Sequence, residues 1–201
     1  TASKKAIESA RIKAADIGLV ICCSYSGDYL FPPLACKIQH ALNAERAGAF
    51  DLSAGSAGFG IALEIGAERL RSELGLQHIL VVASAVQSPF LDKSNPQTAV
   101  LFGDGASAAV LSFVPKGFGL LGTEMFSNGG AFEAIRLRAG GSSFPPKEIN
   151  KEEGSQYLEM DGLAVGKQYL KYVPVMIERI LKKTGLTLAD IDLFLFHQAN
   201  L

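Results

Sequence analysis

Residues 51–60 read Asp51-Leu52-Ser53-Ala54-Gly55-Ser56-Ala57-Gly58-Phe59-Gly60. The stretch follows a short apolar run, Ala49 to Leu52, and leads into an amphipathic pattern that continues to about Ser72. A strand that passes into a helix through minimal side chains predicts a tight corner. Backbone can approach closely there, and the positive end of a helix dipole lies beneath it. Ser56 sits at that corner, where an enzyme would hold a nucleophile. The plainer reading is that Ser56 is a helix N-cap and the glycines only make the turn. Ala54 to Gly58 also satisfies a relaxed form of the hydrolase nucleophile elbow, small-x-Ser-x-Gly.

The flanking segments set the fold class. Ile17 to Cys23 is a continuous apolar run of strand length, the pattern of a strand buried on both faces of a parallel sheet. Ala6, Ile7 and Ala10 predict a helix over residues 2–14, and Pro32 and Pro33 suit the first turn of a helix running to about Leu42. The helix after Ser56 presents Phe59, Ala62, Leu63, Gly66 and Leu70 on one face, and Ile79 to Ala83 reads as another buried strand. Helix and strand thus alternate over residues 1–84, which predicts an α/β fold with right-handed crossovers on a parallel sheet.

Further on, Ala106 to Phe113 and Leu120 to Phe126 read as strands joined by the turn Pro115-Lys116-Gly117. Residues 127–155 are rich in Gly, Ser, Pro and charge and read as a surface excursion, followed by a short strand at Tyr157 to Met160. Apolar spacing predicts a helix from Gly162 to Thr184, which Pro174 should kink or divide at a cost of ~3 kcal/mol. Gly185 ends it, and Leu193 to Phe196 reads as a last strand before His197. The expected organisation is a first half over 1–126, an excursion and linker over 127–161, and the start of a second half over 162–201. The chain is expected to be the middle of a larger protein.

Composition narrows the function classes. A length of 201 residues allows one good core or two modest ones, and 48% apolar with 19% charged residues is ordinary for a soluble protein. With a net charge of −1 and no block of like charges, nucleic acid and membrane surfaces are poor partners. No apolar run reaches the ~20 residues that span a bilayer. Three cysteines, two of them adjacent at Cys22 and Cys23, do not suggest a disulfide framework and point to a reducing, cytoplasmic compartment.

His197 lies in Phe196-His197-Gln198-Ala199-Asn200 at the end of an apolar run. Strand ends of open α/β sheets bind ligands, and histidine is the commonest general base; a structural histidine is an equally good reading from the residues alone. His40 and His78 read as structural. Phe102-Gly103-Asp104-Gly105-Ala106 marks a tight turn before a strand. Residues 117–122 match the dinucleotide fingerprint literally, but strand-like residues follow instead of a helix, so no dipole faces a phosphate. There is no P-loop and no metal-spaced set of His and Cys, so neither a metal nor a bound cofactor is expected.

Taken in order, Phe31-Pro32, Asp51 through Phe59, Phe102 through Ala106, Met160-Asp161-Gly162 and His197 through Leu201 resemble β-ketoacyl-acyl-carrier-protein synthase III, a thiolase-fold condensing enzyme. The resemblance implies a layered α-β-α-β-α architecture, incomplete here at both ends. It also implies an acyltransferase that takes an acyl group from acyl-CoA and condenses it with a malonyl group on acyl carrier protein, initiating fatty acid or polyketide synthesis. The CoA thioester is then a substrate. In that family a cysteine at the position of Ser56 accepts the acyl group. A histidine matching His197, with an asparagine further on, binds the malonyl thioester carbonyl. Phe31 matches a residue reaching toward the acyl pocket of a partner in a homodimer. Gly162 and Asn200 match positions near the pantetheine arm, and Lys167 a basic residue near the carrier-protein landing area.

Three departures qualify the match. Ser56 stands where the family has cysteine, either as a deliberate replacement or as the native residue of a relative that handles unusual acyl groups. A thiol ionises readily beside a helix N-terminus, whereas a hydroxyl must hand its proton to a base during attack. The family's asparagine and its glycine-rich oxyanion segment fall beyond Leu201. The amino-terminal strand and the residues that clasp the adenine are absent from 1–201, so little or no condensing activity is expected of this 201-residue form. Two rival readings remain: a serine hydrolase using Ser56, Asp190 or Asp192, and His197, and a truncated or degenerate subunit that binds without turnover.

Overall fold

The structure is a computed structural model, and it describes residues 1–151 and 154–198. It divides into two compact units, the first formed by residues 1–86 with 104–121 and the second by 87–103 with 122–201.

The first unit is built on a four-stranded sheet. Its strands are β1 (Ile17–Cys23), β2 (Gly48–Leu52), β3 (His78–Ala85) and β4 (Gly105–Ser112), in the order β2-β1-β3-β4. β1 runs parallel to both β2 and β3, and β4 closes the other edge antiparallel to β3. The reason lies in side-chain alternation. Val20, Cys22, Leu80 and Val82 point into one apolar cluster, with Ile7 of α1 (Ala2–Ala10) and Ala35 of α2 (Leu34–Leu42). Leu19, Ile21, Cys23, Ile79 and Val81 point into the other, with Ala62 and Leu70 of α3 (Gly58–Ser72). Successive strand residues face opposite sides, so strands that are apolar at every position must be covered on both.

The two helices that connect parallel strands therefore lie on opposite faces. The chain steps from β1 to β2 in one direction, and then from β2 back past β1 to β3 in the other. Right-handed crossovers made in opposite directions place α2 and α3 on opposite sides of the sheet. α3 comes close enough to its own face that a Cβ at Gly66 would stand 2.5 Å from Leu111 Cδ1. Only glycine permits that approach without displacing Leu111.

In the second unit a four-residue helix α4 (Pro96–Ala99) precedes a two-stranded antiparallel sheet of β5 (Ile135–Leu137) and β6 (Leu158–Met160). Glu159 pairs with both Arg136 and Arg138 across that sheet. The stretch expected to be an irregular excursion thus contains β5, whose three residues are too few to show a period. α5 (Gly162–Thr184) follows, capped at its start by Asp161, which accepts the Ala164 N–H at 2.9 Å. Gly185 ends it in the left-handed conformation, φ 73°.

Two expected strands do not form. Residues 120–126 form no strand. The segment instead lies along α5: Thr123 O accepts Lys183 Nζ, Glu124 pairs with Arg179, the Phe126 and Tyr172 rings meet tilted by 31° with centroids 4.3 Å apart, and Asn128 donates to Gln168. Residues 168, 172, 179 and 183 share one helical face, so an extended chain is held here by a helix instead of a neighbouring strand. These contacts fall on both sides of Pro174, and α5 continues through it as one helix. Leu193 to Phe196 likewise form no strand among the described residues and lie exposed, with Leu195 86% accessible. An apolar run of strand length becomes a strand only beside a ladder partner.

Cys22 and Cys23 close β1 as buried free thiols. Burial, then the charge of Asp51, then Cys23 push the Cys22 thiol up to about 12; burial and Asp51 push Cys23 to about 11. Folding raises both values, so their contribution to stability is whole below pH about 9 and is lost as pH rises through about 11 to 12. The expected outcome is one promptly reactive thiol, Cys36, in the native protein near pH 8 and three after unfolding. Thermal melts should also fall steadily once pH exceeds 9. Thiol titration and melting curves check both.

Candidate functional site

The switch in crossover direction marks a site. β1 is followed by a helix on one face and its neighbour β2 by a helix on the other, so the loops leaving their C-terminal ends diverge. Crevices of this kind, outside the carboxyl ends of strands, are where open α/β sheets bind ligands. Two segments flank this one: the loop 24–33 after β1 and the corner 53–57 after β2. The ladder extends into it, for Ser24 N–H donates to Leu52 O at 3.1 Å.

The corner is a single 3-10 turn, Gly55–Ala57, that runs straight into α3. Gly55 adopts φ +54° in open space, so its glycine is needed for conformation. Gly58 is needed for space: a Cβ there would stand 3.1 Å from Cys23 Cβ, while Cys23 Sγ donates to Gly58 O at 3.1 Å. Strand end and helix start are thereby locked together. Ser56 is exposed on this turn. The N-cap of α3 is Ala57 and that of the turn is Ala54, with no side-chain cap bond at either. The N-cap reading of Ser56 therefore fails, and its hydroxyl is presented at the positive end of a helix with no acidic residue in its first turn.

Asp51, unremarked in the sequence except as part of the motif, holds the other side of the crevice. Its Oδ2 accepts the Leu34 N–H at 2.7 Å and its Oδ1 the Ala35 N–H at 2.8 Å, which caps α2 from a neighbouring strand. The signal available in the sequence was an aspartate inside a strand, where that residue is disfavoured. Phe31 lies in the loop that precedes α2 and is 83% exposed, beside Tyr29 and Leu30.

The remaining expected site residues belong to the second unit. Gly162 opens α5 and Lys167 is exposed on its second turn. His197 is exposed after the 3-10 turn Leu188–Asp190. Asn200 lies outside the described residues. At that turn Asp190 accepts both the N–H and the hydroxyl of Thr187, which hold its carboxyl below the usual range. Asp190 thus caps the turn, which engages the carboxylate that a hydrolase triad would need.

The corner predicts a steric consequence. Gly58→Val should destabilise the protein by about 1–3 kcal/mol, because the new side chain meets Cys23 and the strand behind it cannot retreat. Denaturant unfolding measures the loss.

Comparison with known proteins gives a consistent picture. The sequence profile of the family 3-oxoacyl-[acyl-carrier-protein (ACP)] synthase III matches residues 50–129, the corner included. The β-ketoacyl-[acyl-carrier-protein] synthase III of Syntrophomonas wolfei is 38% identical over 200 residues, covering 100% of this chain and 60% of that protein. Among solved structures, a 3-oxoacyl-(acyl-carrier-protein) synthase III superposes with a TM-score of 0.87 at 25% identity, over 99% of this chain and 62% of the other. The priming β-ketosynthase of the R1128 polyketide pathway superposes with a TM-score of 0.82 at 32% identity, over 98% of this chain and 58% of its own. The thiolase-like α/β class expected from the sequence is the class of these structures. The chain spans about 60% of the length of the curated relatives it matches.

Proposed function

Since the chain is similar along its whole length to β-ketoacyl-acyl-carrier-protein synthase III, we propose that it is part of an acyl-transferring condensing enzyme in which Ser56 is the acyl acceptor. The observation that supports this most directly is the corner itself: Ser56 stands uncapped and exposed at the carboxyl end of β2, on the positive end of α3, beside the switch point of the sheet. In the proposed reaction Ser56 Oγ attacks the thioester carbonyl of an acyl-CoA. The C–S bond breaks, coenzyme A leaves as its thiol with the serine proton, and an oxygen ester remains. A malonyl group carried on acyl carrier protein then loses CO2, and the resulting enolate attacks the ester carbonyl. The new C–C bond forms as Ser56 Oγ departs and regains a proton. His197 is proposed to hydrogen-bond the enolate oxygen, with Gly162 and Asn200 along the pantetheine arm and Lys167 toward the carrier protein. The CoA thioester acts as substrate, and no separate cofactor enters the scheme.

A serine in this position changes the balance of the two half-reactions. Transfer from a thioester onto oxygen runs downhill, and transfer from the oxygen ester to carbon is the harder step. The expected outcome with the complete protein and labelled acyl-CoA is label in the tryptic peptide 47–69, abolished by Ser56→Ala. Ser56→Cys should raise condensation with malonyl carrier protein at least about tenfold. Absence of label from that peptide removes Ser56 from the proposed role.

A homodimer in the cytoplasm is part of the same proposal. β2 is the outer strand of the sheet, and its free edge supports pairing with a second copy, which would bring Phe31 beside a neighbour's pocket. No helix among the described residues is long and apolar enough to cross a membrane. Sedimentation of the complete protein should show a dimer at micromolar concentration; a monomer throughout that range removes this part of the reading.

A further inference from the structure

The corner that carries Ser56 has little of its own to hold it in place. Residues 53–57 are Ser, Ala, Gly, Ser and Ala, and neither Ala54 nor Ala57 makes a side-chain cap bond. Gly55, at φ +54° with open space around it, adds conformational freedom where a nucleophile needs a fixed place. What fixes the corner comes from the end of β1. Cys23 stands opposite Leu52 in the parallel ladder, and Ser24 N–H donates to Leu52 O at 3.1 Å, so the chain is tied as it enters the corner. Where it leaves, the Cys23 thiol donates to Gly58 O at 3.1 Å. Among the described residues this is the one side-chain hydrogen bond that reaches 53–58. A thiol is a weak donor, but this one is only 6% accessible, so water does not compete for the carbonyl it holds. Burial and then the charge of Asp51 raise the thiol to about 11, which keeps the donor proton in place through the neutral range.

We propose that Cys23 is a positioning residue for Ser56: its thiol clamps the first carbonyl of α3 to the end of β1 and so fixes where the serine oxygen stands when an acyl thioester arrives. The role rests on the proposed acyl transfer and adds to it a residue that acts through the backbone two positions after the serine. Gly58 O cannot shift without moving the 3-10 turn that leads into it, and Ser56 is the middle residue of that turn. Misplacing a reacting group by ~1 Å can cost about a hundredfold in rate. A loss of that kind lowers the maximal rate and leaves the half-saturating substrate concentration alone. Cys22, one residue earlier, faces the other side of the sheet, in the cluster with α1 and α2. It has the same chemistry and burial without the bond to the corner, which makes it the control.

The test follows single-turnover acylation of Ser56 by a two-carbon acyl-CoA in the complete protein, unaltered and as Cys23→Ala, Cys23→Val, Cys23→Ser and Cys22→Ala. Amide exchange in residues 53–60 is measured alongside. Cys23→Ala and Cys23→Val both lack the donor, and Val keeps the bulk. Each should acylate at a maximal rate lower by at least about tenfold. Half-saturation should stay within about twofold of the unaltered protein, and exchange across the corner should quicken. Cys23→Ser, whose hydroxyl can donate to the same carbonyl, should recover most of the rate. Cys22→Ala should lower thermal stability while leaving the maximal rate unchanged. Three results overturn the inference and leave acyl transfer to Ser56 standing: a folded Cys23→Ala or Cys23→Val protein with the full maximal rate, a fall matched by Cys22→Ala, or no recovery in Cys23→Ser. If Ser56 of the unaltered protein takes no acyl group, the reading itself falls and the positioning role with it.

Discussion

Burial of both faces of β1 and β3 is the constraint from which the rest of the first unit follows. Val20, Ile21, Leu80 and Val81 are wholly inaccessible, and consecutive residues among them face opposite sides. Such strands cannot leave either face to water, so helices must cover both. The chain meets that demand by stepping first one way and then the other across the sheet. The reversal opens the crevice between the ends of β1 and β2. The candidate site is therefore a by-product of covering the core, and Ser56 sits in it because the chain must turn there from strand to helix.

Around that crevice the sequence invests in fixed backbone. Gly55 supplies a left-handed turn residue, Gly58 lets α3 touch β1, Cys23 bonds across that contact, and Asp51 reaches to the start of α2. Electrostatics work in the same small volume. Burial, and after it the carboxylate of Asp51, raises the thiols of Cys22 and Cys23, which keeps them protonated and inert beside the exposed hydroxyl. The two neighbouring thiols are thus poor nucleophiles, whereas the Ser56 hydroxyl is exposed.

The second unit is held together differently. No residue of α5 is buried; its partners are an extended segment laid along one face, joined by an aromatic contact, an ion pair and side-chain bonds to backbone. Contacts on both sides of Pro174 hold the two halves of the helix against one segment, and α5 runs through the proline undivided.

Periodicity and residue type alone determined the strands of the first unit, α3, the start and end of α5 and the corner at Ser56. Each is decided by neighbours in the chain, through alternation, apolar spacing or a glycine with positive φ. The helix expected over 2–14 stops at Ala10, and Pro32 and Pro33 precede α2 instead of forming its first turn. Tertiary structure decided the rest. Residues 120–126 and 193–196 have strand-like composition, yet a strand exists only through a partner ladder, and 123–128 found α5 instead. The role of Asp51 depends on two amides sixteen and seventeen residues earlier, and no local pattern carries that pairing. Sequence can say which side chains are suited to bond or to be buried; which distant group each one meets is settled only when the backbone has closed.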